Sequence, residues 1–166
     1  MATATPVYGT PTAFTWTIAS KASDTNLLAG FESTAIDQKD TLDAIDVLVG
    51  GKITTGTGPT TARQIQIWAY ASWDDAEFSG GCAGSDGAKT LTAESKQRLF
   101  LVDIIATNGT SDTAYTWGPY SALKIFQSAV LPVQFGLWFV HNTGVNLNAT
   151  AGNHEAYYTT VKFESA

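Results

Sequence analysis

From Arg63 to Ser72 the chain reads RQIQIWAYAS. Ile65, Ile67, Ala69 and Ala71 fall on one side of an extended backbone, and Gln64, Gln66, Trp68 and Tyr70 on the other. Side chains of a strand point alternately to its two faces, so this period of two predicts a β-strand. Thr12–Ser20 repeats it, with Phe14, Trp16 and Ile18 set against Thr15 and Thr17, and predicts a half-buried strand. Val133–Asn142 is aromatic-rich and Glu155–Phe163 alternates, so the two read as strands flanking a long Asn/Gly/Thr loop. Arg98–Thr107 (RLFLVDIIAT) is a nearly continuous apolar run of strand length, the pattern of a strand covered on both faces. Ala114–Tyr120 predicts a short aromatic strand ended by Gly118-Pro119.

Thr41–Thr54 (TLDAIDVLVGGKIT) supports two readings. Leu42, Ile45 and Leu48 fit a helical stripe, whereas Ile45, Val47 and Val49 alternate. The β-branched residues and the Gly50-Gly51 pair favour a strand followed by a bend or bulge. Ser23–Asp40 predicts a polar loop that lays Leu27, Leu28 and Phe31 on the core. Thr55–Thr61 and Trp73–Lys89 read as loops, Thr90–Gln97 as a helical turn, and Ser121–Ser128 as a short helix or a connection. Residues 1–11, with Pro6, Gly9 and Pro11 among small residues, predict an extended arm. The expected fold is all-β: an antiparallel β-sandwich, jelly-roll-like, of about seven or eight strands. Residues 12–166 form one domain behind the arm, as suits a chain of 166 residues.

Charged residues make up 14% of the chain, below the ~25% of an ordinary domain. Five Trp, six Tyr and eight Phe exclude the composition of a disordered chain. Nine basic against fifteen acidic residues leave a net charge of −6, which argues against nucleic acid as a partner. No apolar run approaches the ~20 residues that span a bilayer, so no membrane partner is expected. The first residues, MATATPVYGTPTAFTW, have neither a basic nor an apolar signal region, so synthesis in a cytoplasm without secretion is expected. On that expectation the sequons at Asn108 and Asn148 carry no weight.

Candidate chemistry is sparse. Asp74, Asp75, Glu77 and Asp86 cluster as a calcium loop would, although without its spacing, and Asp/Gly loops are ordinarily plain turns. His141 and His154 bracket the last loop, and without a third ligand they read as hydrogen-bonded residues at strand ends. Cys82 sits in GGCAG with no adjacent cation or base to lower its pKa. No nucleophile elbow, phosphate loop or selected carboxylate pair occurs, so no catalytic residue, metal or cofactor is assigned. Trp68 and Tyr70 share one strand face. They suit a core, an oligomer contact or, if exposed, a sugar-stacking surface.

Three stretches carry a resemblance: LVGGKITTGTGPT (Leu48–Thr60), QIQIWAYASWDD (Gln64–Asp75) and FVHNTGVNLNATAGNHEAYYTTV (Phe139–Val161). Across Leu27–Phe163 the chain resembles small β-sandwich virion proteins of tailed bacteriophages, of the capsid decoration (cement) or head-fibre kind. The resemblance implies a non-enzymatic structural protein of the virion, made in the host bacterial cytoplasm. Its implied partners are the major capsid protein and copies of itself, in a homo-oligomer such as a trimer. It transfers no residue roles. Pro6, Tyr8 and Pro11 of the arm, with Trp68 and Tyr70, are the expected docking residues. The alternative is a carbohydrate- or receptor-binding module using Trp68, Tyr70 or the Asn146–Asn153 loop.

Overall fold

The computed structural model describes residues 4–38, 42 and 44–165. The strands are β1 (Ala4–Tyr8), β2 (Thr12–Ala13), β3 (Ala29–Glu32), β4 (Ile36–Asp37), β5 (Asp46–Thr54) and β6 (Arg63–Ser72). They continue as β7 (Gly87–Thr90), β8 (Phe100–Thr107), β9 (Ala114–Ser121), β10 (Gln134–His141) and β11 (Glu155–Ser165). Two helical turns, α1 (Ala93–Lys96) and α2 (Ala122–Ile125), interrupt them. Each starts at a hydroxyl cap: Thr92 Oγ1 accepts from the Ser95 amide, and Ser121 Oγ from that of Lys124.

Every strand pairing is antiparallel. One sheet, here called A, runs β1-β11-β5-β9, with β2 also lying along β11; the other, B, runs β7-β3-β10-β6-β8, with β4 also on β10. Counting β1/β2 and β3/β4 as one strand each and setting β7 aside leaves eight strands. In chain order, A then takes the first, eighth, third and sixth, and B the second, seventh, fourth and fifth. That interleaving is a jelly roll.

The core lies between the sheets. Val47, Val49 and Ile53 of β5 meet Ile65, Ile67 and Ala69 of β6 and Phe135, Leu137 and Phe139 of β10. Of these, Ile65, Ile67 and Ala69, and Val47 and Val49, are residues that alternation placed together on one face of their strands. The opposite face of β6 and β10 is buried too, because residues 73–99 fold back over it. Tyr70, Trp138 and Val140 pack there with Cys82, Leu91 and Leu99 in a second, smaller core. Gly136 pairs with Tyr70 across the strands and has no side chain because the phenol lies where its Cβ would stand.

Several expectations change. Thr12–Ser20 alternates in burial, but only Thr12–Ala13 is strand. Beyond it the Phe14 amide bonds to Ala156 of A while the Thr15 carbonyl accepts from Thr34, so the segment crosses between the sheets instead of joining one. Ser23–Asp40 contains β3 and β4, too short for a periodic signal. Residues 39 and 40, at the end of that predicted loop, and 41 and 43, within the ambiguous stretch, lie outside the described residues. β5 does not end at Gly50-Gly51 but passes through them with a bulge against β9, where Gly118 approaches closely at φ +74°. β9 likewise runs on past Gly118-Pro119 to Ser121. β8 was expected to be covered on both faces, yet Leu101 and Ile104 are exposed, because the insertion stops short of this edge strand.

Candidate docking surface

The two outer faces of the sandwich are unlike. That of B is sealed by the chain itself, whereas that of A is bare and apolar. On β5, Leu48 and Gly50 alternate with buried Val47 and Val49, and their partners on β11 are Thr159 and Tyr157. On the same face β1 pairs Pro6 with Phe163 and Tyr8 with Val161. Tyr8 is 62% exposed, Phe163 59% and Tyr157 39%. Between them Pro11, Leu48, Gly50, Pro119 and Tyr157 line a trough of about 400 Å³, its floor formed by the close backbones of β5 and β9 at the bulge. A Lys52–Glu155 pair, 3.4 Å apart, lies at one end of the face and is neutral as a pair.

The edge beside this face is blunted. The Gly9 amide donates to the Thr160 carbonyl, so Val7 and Thr5, two and four residues away, also turn their amides toward β11. Pro6 has the other parity, which puts its hydrogen-free nitrogen on the outer edge. Strand addition is disfavoured there, and contact is left to the face.

Of the five expected docking residues, Pro6, Tyr8 and Pro11 are exposed on or beside this face. Tyr70 is not available. It is fully buried on the other sheet, its hydroxyl donating to the Ser33 carbonyl at 2.5 Å. Burial, with Glu32 next in effect, raises its pKa well above the ordinary value. Trp68 is half-buried beside it, its indole donating to Gln66 Oε1 at 3.2 Å with the Lys96 ammonium 5.1 Å over the ring. Alternation grouped these two correctly but does not say what covers their face. Tyr157, Phe163, Leu48 and Pro119 escaped sequence reasoning for the same reason. For Tyr157 and Phe163 the signal was the odd-numbered parity of β11, and Tyr158 on the even parity is also aromatic.

The other candidate groups serve the fold. Asp74 accepts from the amides of Glu77 and Ala76 and from the Ser72 hydroxyl, bonds that lower its pKa. Asp75 bonds the Gln134 amide, and Asp86 accepts from the Thr17 amide at 2.8 Å. Among the described residues no three His, Cys, Asp or Glu side chains converge on a point where a metal would bind. The Cys82 thiol is pushed up to about 12, first by burial and then by Glu32.

The Asn-rich loop after β10 is bonded to itself. Asn148 Oδ1 accepts from the Thr150 amide and the Asn153 side chain, and its Nδ2 donates to Asp112 at 2.7 Å. A polar cleft of about 480 Å³ lies alongside, lined by Ser20, Thr57, Asp112 and residues 145–150.

Compared with protein-family models, curated proteins and solved structures, the chain matches none.

Proposed function

We propose that this chain is a structural protein of a tailed-phage virion, a decoration protein that docks on the outer capsid surface and stabilises the shell. The observation that carries the reading is the uncovered apolar face of A, on a sandwich whose other face is sealed by its own chain. Large contiguous apolar patches on soluble domains mark interaction sites. The quoted resemblance to phage decoration and head-fibre proteins supplies the partner, the major capsid protein. The jelly roll is compatible with it but hosts many functions. Burying about 300 Å² of apolar area per copy contributes roughly 7 kcal/mol before the entropy of association is subtracted. Repeated over a lattice, that resists expansion of the shell.

The test is the copy number and position of the protein in purified particles. Hundreds of copies spread over the shell are expected, and a few at one vertex point to a tail or collar part instead. Removing residues 1–11 takes away Pro6, Tyr8 and Pro11 and is expected to reduce occupancy while leaving the core residues in place. Equal occupancy of truncated and intact protein counts against docking through this face.

One observation favours the alternative, glycan or receptor binding: the polar cleft beside residues 145–150. Its Asn148 and Asp112 side chains are already bonded to each other, and no aromatic ring lines it, which makes it the weaker reading.

A further inference from the structure

The loop between β10 and β11 is fastened to the end of β5 by a set of bonds that depends on one protonation state. Thr54 holds the loop in three ways. Its hydroxyl donates to the Asn153 carbonyl at 2.7 Å, its carbonyl accepts from the Asn148 amide at 3.2 Å, and its amide donates to His154 Nδ1 at 3.4 Å. The other ring nitrogen, Nε2, lies 2.8 Å from the Asn148 carbonyl. A carbonyl only accepts, so Nε2 carries the hydrogen and Nδ1 offers its lone pair to Thr54. The imidazole is therefore required to be neutral. A proton on Nδ1 would face the Thr54 amide donor with a second donor.

We propose that His154 is an acid-labile latch whose protonation detaches residues 148–154 from β5 and opens the polar cleft beside them. His141, at the other end of the loop, differs in kind. Its Nε2 faces the Lys21 carbonyl at 3.2 Å and its Nδ1 the Thr143 hydroxyl at 2.9 Å, so both nitrogens have oxygen partners. The Thr143 hydroxyl donates onward to the Val145 carbonyl, leaving a lone pair for His141. Protonating His141 opposes burial but breaks no hydrogen bond; protonating His154 breaks one.

The charged surroundings do not cancel this. Lys52 of β5 disfavours a cation at His154, as does a protonated His141. Glu155 is engaged with Lys52, and Asp112 accepts from Asn148 Nδ2. From the segment before β3, Lys21 lies over the Phe31 ring and Asp24 accepts from the amides of Leu28 and Ala29. Burial lowers the His154 pKa, with Lys52 adding to the effect, which places the release on the acid side of the ordinary histidine range. The latch is independent of what docks on sheet A.

The experiment follows backbone amides and imidazole carbons of the full chain by NMR from about pH 7 to about pH 4.5, with hydrogen exchange at both ends. The amides of Thr54, Asn148 and Thr150 are expected to shift together with the His154 imidazole. They should lose about tenfold in protection after correction for intrinsic exchange. Those of Ile67 and Leu137 should stay protected. His154→Gln, which cannot titrate, is expected to abolish the step, and His141→Gln to retain it. Loop amides that ignore the His154 titration in the wild type overturn the latch, as does simultaneous loss of protection in loop and core. The wild-type titration decides even if a variant does not fold.

Discussion

His141 shows what one buried residue sets. It is 1% exposed and stacked on Phe139 at 5.7 Å, with an oxygen facing each ring nitrogen. Burial holds its pKa down to about 4, against an ordinary 6.5. A base with a depressed folded pKa binds its proton first in the unfolded state. Its contribution is therefore complete above pH 6.5 and is lost as pH falls toward 4. Stability from urea unfolding is expected to be flat above about pH 6.5 and to fall below it by on the order of 3 kcal/mol. His141→Gln should flatten that slope. A stability that does not change across this range contradicts the burial of a neutral imidazole. Tyr70 makes the complementary point: an aromatic that reads as a binding platform in sequence is a core residue closed by a hydroxyl bond to Ser33.

At the scale of elements, the segment from Trp73 to Leu99 matters most. Trp73–Lys89 reads as a loop and Thr90–Gln97 as a helical turn; together the turns and α1 make the lid that gives sheet B a second core, while β7 extends that sheet beside β3. Lys96 fixes the lid. Its ammonium donates to the Leu27 carbonyl at 2.8 Å and to Gln66 Oε1 at 2.6 Å, over the rings of Trp68 and Trp138. Trp138 adds a bond from its indole to the Lys89 carbonyl at 3.0 Å. Lys96→Ala removes the donor to the Leu27 carbonyl and leaves Gln66 Oε1 with the Trp68 indole alone, and should weaken lid closure by about 1.5 kcal/mol, roughly tenfold in the opening equilibrium. Cys82 of the lid itself is buried against sheet B, so its modification by a thiol reagent reports opening. The variant is expected to react about tenfold faster than wild type under conditions where closure is fast. An unchanged rate shows that α1 is held by its apolar contacts alone.

For the whole molecule the controlling fact is asymmetry, with one outer face closed and the other left open. Among the described residues, exposed apolar side chains remain on the face of sheet A around Tyr157, on the edge at Leu101 and Ile104 of β8, at Ile45 with Val130, and at Trp73. If A is the docking face, Tyr157→Asp should remove the protein from particles, while Leu101→Asp leaves occupancy unchanged. Neither removes a core contact, so each should alter unfolding stability by less than about 0.5 kcal/mol. Loss of binding with Leu101→Asp alone would move the contact to β8. On the face of A, Lys52 and Glu155 neutralise each other, and Asp46, opposite Val161, accepts from the amides of Val47 and Leu123.

Much of this fold was legible along the chain. Strands β6 and β11 stand out because each is long enough for a period of two to repeat, β8 by its apolar run and β9 and β10 by their aromatic residues, and Ile65, Ile67 and Ala69 do face the core. The turn at α1 shows in Thr90–Gln97, and α2 in Ser121–Ser128, which reads as a short helix or a connection. Short strands such as β3 and β7 did not, because four residues hold no period and their pairing is decided by distant neighbours. Sequence also determined that both faces of β6 carry apolar groups, and so that both needed covering or a partner. Only the tertiary structure decided which face was sealed and by what. A strand's alternation fixes which residues share a side, whereas the solvent exposure of that side depends on where the remaining chain comes to lie.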